Sequence, residues 1–170
     1  DESPLRYYTR NQAEKLRKKI GHENIIVDFA MRYGSPSIRS KLTNLKTQGC
    51  ENIIVLPLYP QFSSTTSGSS LNSWKKEIDK NKLEIPTKII CCYPQNEDFI
   101  LAHVNEIKNI IKKAKNKNRN NKNIRLLFSA HGLPEKIIKK GDPYQYQIEK
   151  TVTKVIENLN INEFLYTICY

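Results

Sequence analysis

The apolar residues Ile124, Leu126, Leu127 and Phe128 run into Ser129-Ala130-His131-Gly132-Leu133-Pro134, where small residues replace large ones and a proline ends the segment. An apolar run without strict alternation reads as a strand buried on both faces, the pattern of a parallel sheet covered by helices. The first polar side chains after such a strand emerge at the carboxyl edge of the sheet, which is where open α/β folds bind ligands. Ser129 and Ala130 leave space beside the imidazole of His131, and Gly132 is expected to let the backbone turn closely beneath it. Two readings stay open from this stretch alone. The histidine caps a turn, or it faces a ligand.

The rest of the chain repeats the same alternation. Strands are expected over 24–34, 52–60, 86–93 and 163–170, besides the run that ends in His131. Between them lie helical spacings. Ala13, Leu16 and Ile20 follow Thr9 as a candidate N-cap, and Ile38, Leu42 and Leu45 precede a stop at Gly49. Leu71, Trp74 and Ile78 form a third helical face, and Ile100, Leu101, Val104, Ile107 and Ile111 a fourth. Gly141-Asp142-Pro143-Tyr144 is a turn that starts a last helix through Ile148, Val152, Val155, Ile156 and Leu159. Strands alternating with helices predict an α/β fold: a parallel sheet flanked by helices on both faces, three layers in the Rossmann-like manner. The 170 residues suffice for one such domain or for half of a two-domain protein. A start without Met and a finish on an apolar strand favour the half.

The net charge of +11 calls for an anionic partner, either nucleic acid, an acidic membrane surface or a small molecule bearing carboxylates. Much of the excess sits in the Lys- and Asn-rich stretch 108–125, which reads as a solvated helix end and loop. Since the whole sequence is rich in Lys, Asn and Ile, compositional drift accounts for the charge, and a nucleic-acid partner is not expected. No apolar run approaches the roughly 20 residues of a membrane-spanning helix. Cys50, the adjacent Cys91 and Cys92, and Cys169 form no CxxC pair, which fits a reducing cytoplasm with thiols as core filler.

Several chemistries are excluded by missing patterns. There is no GxGxxG or GxxxxGK[ST] phosphate cradle, no GxSxG nucleophile elbow, and no Cys or His at zinc-ligand spacing from His131. His22 and His103 read as surface or flanking residues. The hydroxyl-rich segment 61–70 caps the helix that follows or binds an anion at that helix's positive end. The expected topology brings three strand ends to one edge: Arg32 and Tyr33, then Tyr59 with Gln61 and Ser63, then His131.

Taken with their order, LLFSAHGLP followed by GDPY resembles the ferrochelatase signature, and MRYGSP and LPLYPQFSSTTSGSSLNSW are similar to upstream segments of that family. SPLRYYTRNQAEKL resembles the region after the family's glycine-rich first loop, so the resemblance covers nearly the whole chain. It implies insertion of ferrous iron into protoporphyrin IX, the last step of haem synthesis, in a cleft between two similar parallel-sheet domains. It implies His131 as the catalytic residue, either acceptor of pyrrole protons or ligand to the incoming iron. Arg32, Tyr33, Tyr59 and Ser63 then form the substrate-binding set. Residues 1–170 would be the N-terminal domain without its first strand, and without the second domain the chain alone would not catalyse. Ser64 stands where cluster-bearing animal members have a ligand cysteine, so no Fe–S cluster and no other cofactor is expected. A cytoplasmic protein in peripheral contact with an acidic inner membrane is the expected setting. A chelatase for another metal or tetrapyrrole, a non-catalytic porphyrin or haem carrier and a basic RNA-binding module are the competing readings.

Overall fold

The computed structural model describes residues 4–117, 124–160 and 165–170, with the side chains of 115–117 left aside. Within them the chain is α/β, and both of its strand pairs are parallel. It divides into two compact units, residues 1–55 with 68–89 and residues 56–67 with 90–170.

The first unit opens with helix α1, Pro4–Ile20. Proline suits a first helical turn because the N–H it lacks would have no partner there. Thr9 is therefore not the N-cap; it lies inside the helix, and its hydroxyl donates back to the Leu5 carbonyl at 2.8 Å. Helix α2, Ile38–Thr47, does begin at a capping hydroxyl, since Ser37 accepts from the Ser40 N–H, and Gly49 follows with φ of +72°. Strand β1, Ile53–Val55, pairs in parallel with β2, Thr87–Ile89, and helix α3, Ser67–Lys80, connects them. Ile38, Leu42, Ile53, Trp74 and Leu83 make the core of this unit. Leu42, only 1% exposed, contributes about 2 kcal/mol through burial alone.

The strand expected over 24–34 is not formed; only an isolated bridge joins Met31 to Ser37. Its polar groups bond locally instead of in a ladder. Ile25 N–H donates to the His22 carbonyl, Phe29 N–H to the Asp28 carboxylate, and Arg17 donates to the Val27 carbonyl. The apolar run still anchors the segment through Val27, which is buried, while Ile25 and Ile26 stay exposed. Strand β1 is also shorter than expected, because Pro57 and Pro60 have no N–H for a ladder.

The second unit holds helix α4, Glu97–Lys117, strand β3, Arg125–Ser129, helix α5, Glu135–Lys139, helix α6, Tyr144–Leu159, and strand β4, Leu165–Cys169. β3 and β4 pair in parallel over five positions, from Arg125 opposite Leu165 to Ser129 opposite Cys169. Ile100 and Val104 of α4 meet Val155 and Leu159 of α6, and Leu126 and Phe128 pack against that cluster. Leu127 is 67% exposed, so β3 is covered on one face and not on both. The reason is the two-residue period of a strand: 126 and 128 turn toward the helices and 127 away. None of the four cysteines is buried, contrary to their expected role as core filler. The short helix α5 had no signal in the apolar spacing. Residues 118–123 of the basic stretch, and 163–164 of the expected last strand, lie outside the described residues.

Candidate active site

β3 delivers His131 as the alternation requires. Ala130 N–H donates to the Cys169 carbonyl at 2.8 Å, which carries the ladder one residue beyond the strand. The His131 backbone N–H then donates to the Tyr144 hydroxyl at 3.2 Å. The main chain is held by α6 while the imidazole stays exposed and, among the described residues, is bonded to nothing. A neutral ring in that state has one nitrogen lone pair open to a proton or a metal ion. Gly132 is not demanded by the turn, because it lies outside the left-handed region and an added Cβ would sit 3.5 Å from the Tyr170 carbonyl carbon, an ordinary contact.

Asp142 is the organising group that the sequence reading did not assign. Its Oδ2 accepts from the Ser64 N–H and the Ser64 hydroxyl, each at 2.7 Å, and from the Ser63 hydroxyl at 3.1 Å, while Oδ1 accepts from the Tyr144 N–H at 3.1 Å. Burial pushes this carboxyl up. The bonds from Ser64, Tyr144 and Ser63 together outweigh burial and hold it below its usual range. The hydroxyl-rich segment thus does receive an anion, but one supplied by the chain itself. Asp142 follows Gly141, whose φ of +91° is a left-handed conformation that glycine adopts without strain.

Two further bonds fix the segment to α6. Gln147 Oε1 accepts from the Phe62 N–H at 2.7 Å, and Gln61 Nε2 donates to the Thr151 hydroxyl at 3.0 Å. Ser63, expected from sequence to bind substrate, is 0% exposed; its hydroxyl proton goes to Asp142 and its oxygen accepts from the Thr65 hydroxyl and N–H. Those bonds fix the loop. A cavity of about 270 Å³ lies over this network between Phe62, Ser64, Ile137, Lys140 and Asp142. A second, of about 380 Å³, is lined by Leu133, Ile138, Tyr144 and Tyr170. His131 lines neither.

The other expected site residues fall as follows. Tyr59 is in the second unit with Ser63 and His131, and it is half exposed. Arg32 and Tyr33 are in the first unit, where the guanidinium stands 4.5 Å over the Tyr33 ring and its Nε donates to the Ser69 hydroxyl at 3.1 Å. The Tyr33 ring is 77% exposed. The structure therefore brings Arg32 and Tyr33 together in the first unit, while Tyr59, Ser63 and His131 share the second unit without contact among them in the described bonds. His103, edge-on to Phe99 at 4.7 Å, and His22, accepting from the Asn24 N–H, are both exposed flanking residues, as expected.

Parallel strand pairs with connecting helices, and an exposed histidine past a strand's carboxyl end, make this an α/β protein with a candidate site at a strand edge. The chain matches the ferrochelatase family over residues 1–170 and belongs to it. It is 47% identical to the ferrochelatase of Rickettsia typhi over 156 residues, which cover 92% of this chain and 42% of that protein. Toward the ferrochelatase of Pelagibacter ubique the identity is 42% over 172 residues, covering 99% of this chain and 48% of that protein. The chain spans less than half the length of these curated relatives.

Proposed function

We propose that this chain is the His131-bearing part of an enzyme that inserts ferrous iron into protoporphyrin IX. The observation that carries the reading is the family match along the whole chain, with the SAHGLP segment at a strand end where, among the described residues, the imidazole is unbonded and exposed. Insertion replaces two pyrrole N–H protons by one metal ion, and the ion must shed its water. A neutral imidazole can accept such a proton or offer its lone pair to the iron, and His131 is the group assigned to that work. Arg32 and the basic balance of the chain suit the two propionates, with Tyr33 and Tyr59 offering aromatic faces to the macrocycle. Ser63 acts through the loop that Asp142 fixes.

Because the relatives are more than twice as long, the activity is assigned to the chain together with the length they add, and the 170 residues alone are expected not to turn over. Ser64 carries no thiol, and its hydroxyl and N–H are engaged by Asp142, so we propose no cluster ligand at this position. Among the described residues no helix is long and apolar enough to cross a membrane. The basic surface suits peripheral contact with an acidic inner membrane from the cytoplasm.

The test joins this chain to the C-terminal part of a curated relative and follows protohaem formation from protoporphyrin IX and ferrous iron without oxygen. Turnover in the fusion, lost in His131→Ala with porphyrin binding retained, is the expected result. Binding without turnover in the unaltered fusion would favour a porphyrin carrier, and turnover with a different metal ion alone would favour another chelatase.

A further inference from the structure

Cys91 and Cys92 follow β2 and take no part in the site described above. Their sulfurs lie 3.4 Å apart; Cys91 is exposed and Cys92 half buried. Burial and the adjacent Cys92 push the Cys91 thiol up, so at neutral pH it is protonated. The separation decides what such a pair can hold. A disulfide would need the sulfurs to close to about 2.05 Å. With metal–thiolate bonds of about 2.3 Å, a tetrahedral ion spreads two sulfurs to about 3.8 Å and a linear one to about 4.6 Å. At the same bond length a pyramidal centre, with an angle near 90°, spans about 3.3 Å. Among the described residues no group of three or more His, Cys, Asp or Glu side chains could complete a tetrahedral site.

We infer that Cys91 and Cys92 form a two-thiol site for a soft trivalent centre, with arsenic(III) as the ion it fits. With an organoarsenic oxide the step is a condensation. Two S–H bonds break, two As–S bonds form, and the oxide oxygen leaves as water with both thiol protons. Arsenic stays trivalent, so no oxidant or reductant is required. The second bond forms intramolecularly, and that gives a vicinal pair its advantage over two separate thiols. The site also reaches the 61–64 loop, because Gln147 Nε2 donates to the Cys92 sulfur at 3.8 Å while its Oε1 holds the Phe62 N–H.

Phenylarsine oxide added to the reduced chain tests this. One equivalent is expected to remain bound in excess glutathione and to be released by 2,3-dimercaptopropanol. Digestion should locate it on the peptide that contains both Cys91 and Cys92. Cys91→Ser and Cys92→Ser should each release it at least about 100-fold faster, while Cys50→Ser and Cys169→Ser leave retention unchanged. The Phe62 amide signal should shift on loading. Release by glutathione alone, a bridge located on any other cysteines, or retention by either single variant equal to that of the unaltered chain would overturn the assignment. The peptide location is read on the unaltered chain, so it stands even where a variant folds poorly.

Discussion

Asp142 and Ser64, 78 positions apart, are joined twice: one carboxylate oxygen accepts both the backbone N–H and the hydroxyl of Ser64, each at 2.7 Å. The same carboxylate takes the Ser63 hydroxyl and the Tyr144 N–H, so a single side chain ties the loop before α3 to the start of α6. Hydrogen bonds to an ionised acceptor contribute about 1.5–3 kcal/mol when buried, and partial exposure puts this cluster as a whole near 2 kcal/mol. Asp142→Ala is expected to destabilise the chain by about 2 kcal/mol, and Asp142→Asn, which keeps one acceptor oxygen, by about half that. Urea unfolding at neutral pH measures both. Equal stability of Asp142→Ala and the unaltered chain would show that the bonds contribute nothing net.

The same bonds predict a pH dependence. The carboxyl of Asp142 titrates below its ordinary 3.8 in the folded chain, so its contribution is full above that value. It is lost as the pH falls through the folded value, where the unfolded chain has already taken up its proton. The stability gap between the unaltered chain and Asp142→Asn is therefore expected to stay constant from pH 7 down to about 5 and to narrow below about 4. A gap that widens on acidification would contradict the sign of the shift.

What was legible in the sequence follows from what period and turn chemistry encode. The parallel α/β class, the helices around Leu42 and Val155, and His131 at a strand's end could all be read from apolar spacing, because core contacts impose that spacing. The stretch 24–34 forms no strand because Ile25-Ile26-Val27 supplies β-branched residues but no ladder partner, and a strand exists only where its N–H and C=O groups find another strand. Burial of Leu127 was misjudged for a similar reason: an apolar residue shows what a strand can bury, not what covers it. The role of Asp142 is not legible in the sequence, since its partners Ser63 and Ser64 are nearly eighty residues away and no local pattern records that distance. The one available signal was an acidic residue after a glycine and an unusually dense hydroxyl segment, a donor set with no acceptor in its own neighbourhood.

Tyr144 links this cluster to His131. Its hydroxyl accepts the His131 backbone N–H, and its own N–H is held by Asp142. Tyr144→Phe removes only the oxygen. A neutral bond at a partly exposed site contributes about 0.5–1 kcal/mol, so global stability should fall by no more than that. The local effect should be larger than the global one. Hydrogen exchange at the His131 amide is expected to quicken several-fold in Tyr144→Phe, while exchange at Val155 in the core stays within twofold of the unaltered chain. Unchanged exchange at His131 would mean that β3 and β4 alone hold the turn.

Thr151 presents the opposite case, a buried polar group with every partner inside the fold. Its hydroxyl oxygen receives Gln61 Nε2 at 3.0 Å and lies 2.7 Å from the Pro94 carbonyl and 2.9 Å from the Gln147 carbonyl, between which its single proton is shared. Both Thr151 and Gln61 are buried. Thr151→Val keeps the shape and removes the hydroxyl, which leaves the Gln61 amide N–H and the Pro94 carbonyl without their partner where water has little access. Orphaning a buried polar group costs about 1–3 kcal/mol, so a loss of about 2 kcal/mol is expected in urea unfolding. Thr151→Ser, which restores the hydroxyl and drops only a methyl group, should lose about 1 kcal/mol or less. Pairing Thr151→Val with Gln61→Leu removes donor and acceptor together, and the double variant should then be more stable than the sum of its two single losses predicts. Strict additivity would show that Gln61 does not depend on Thr151, and the loop carrying Ser63 would then be held to α6 by Gln147 and Asp142 alone.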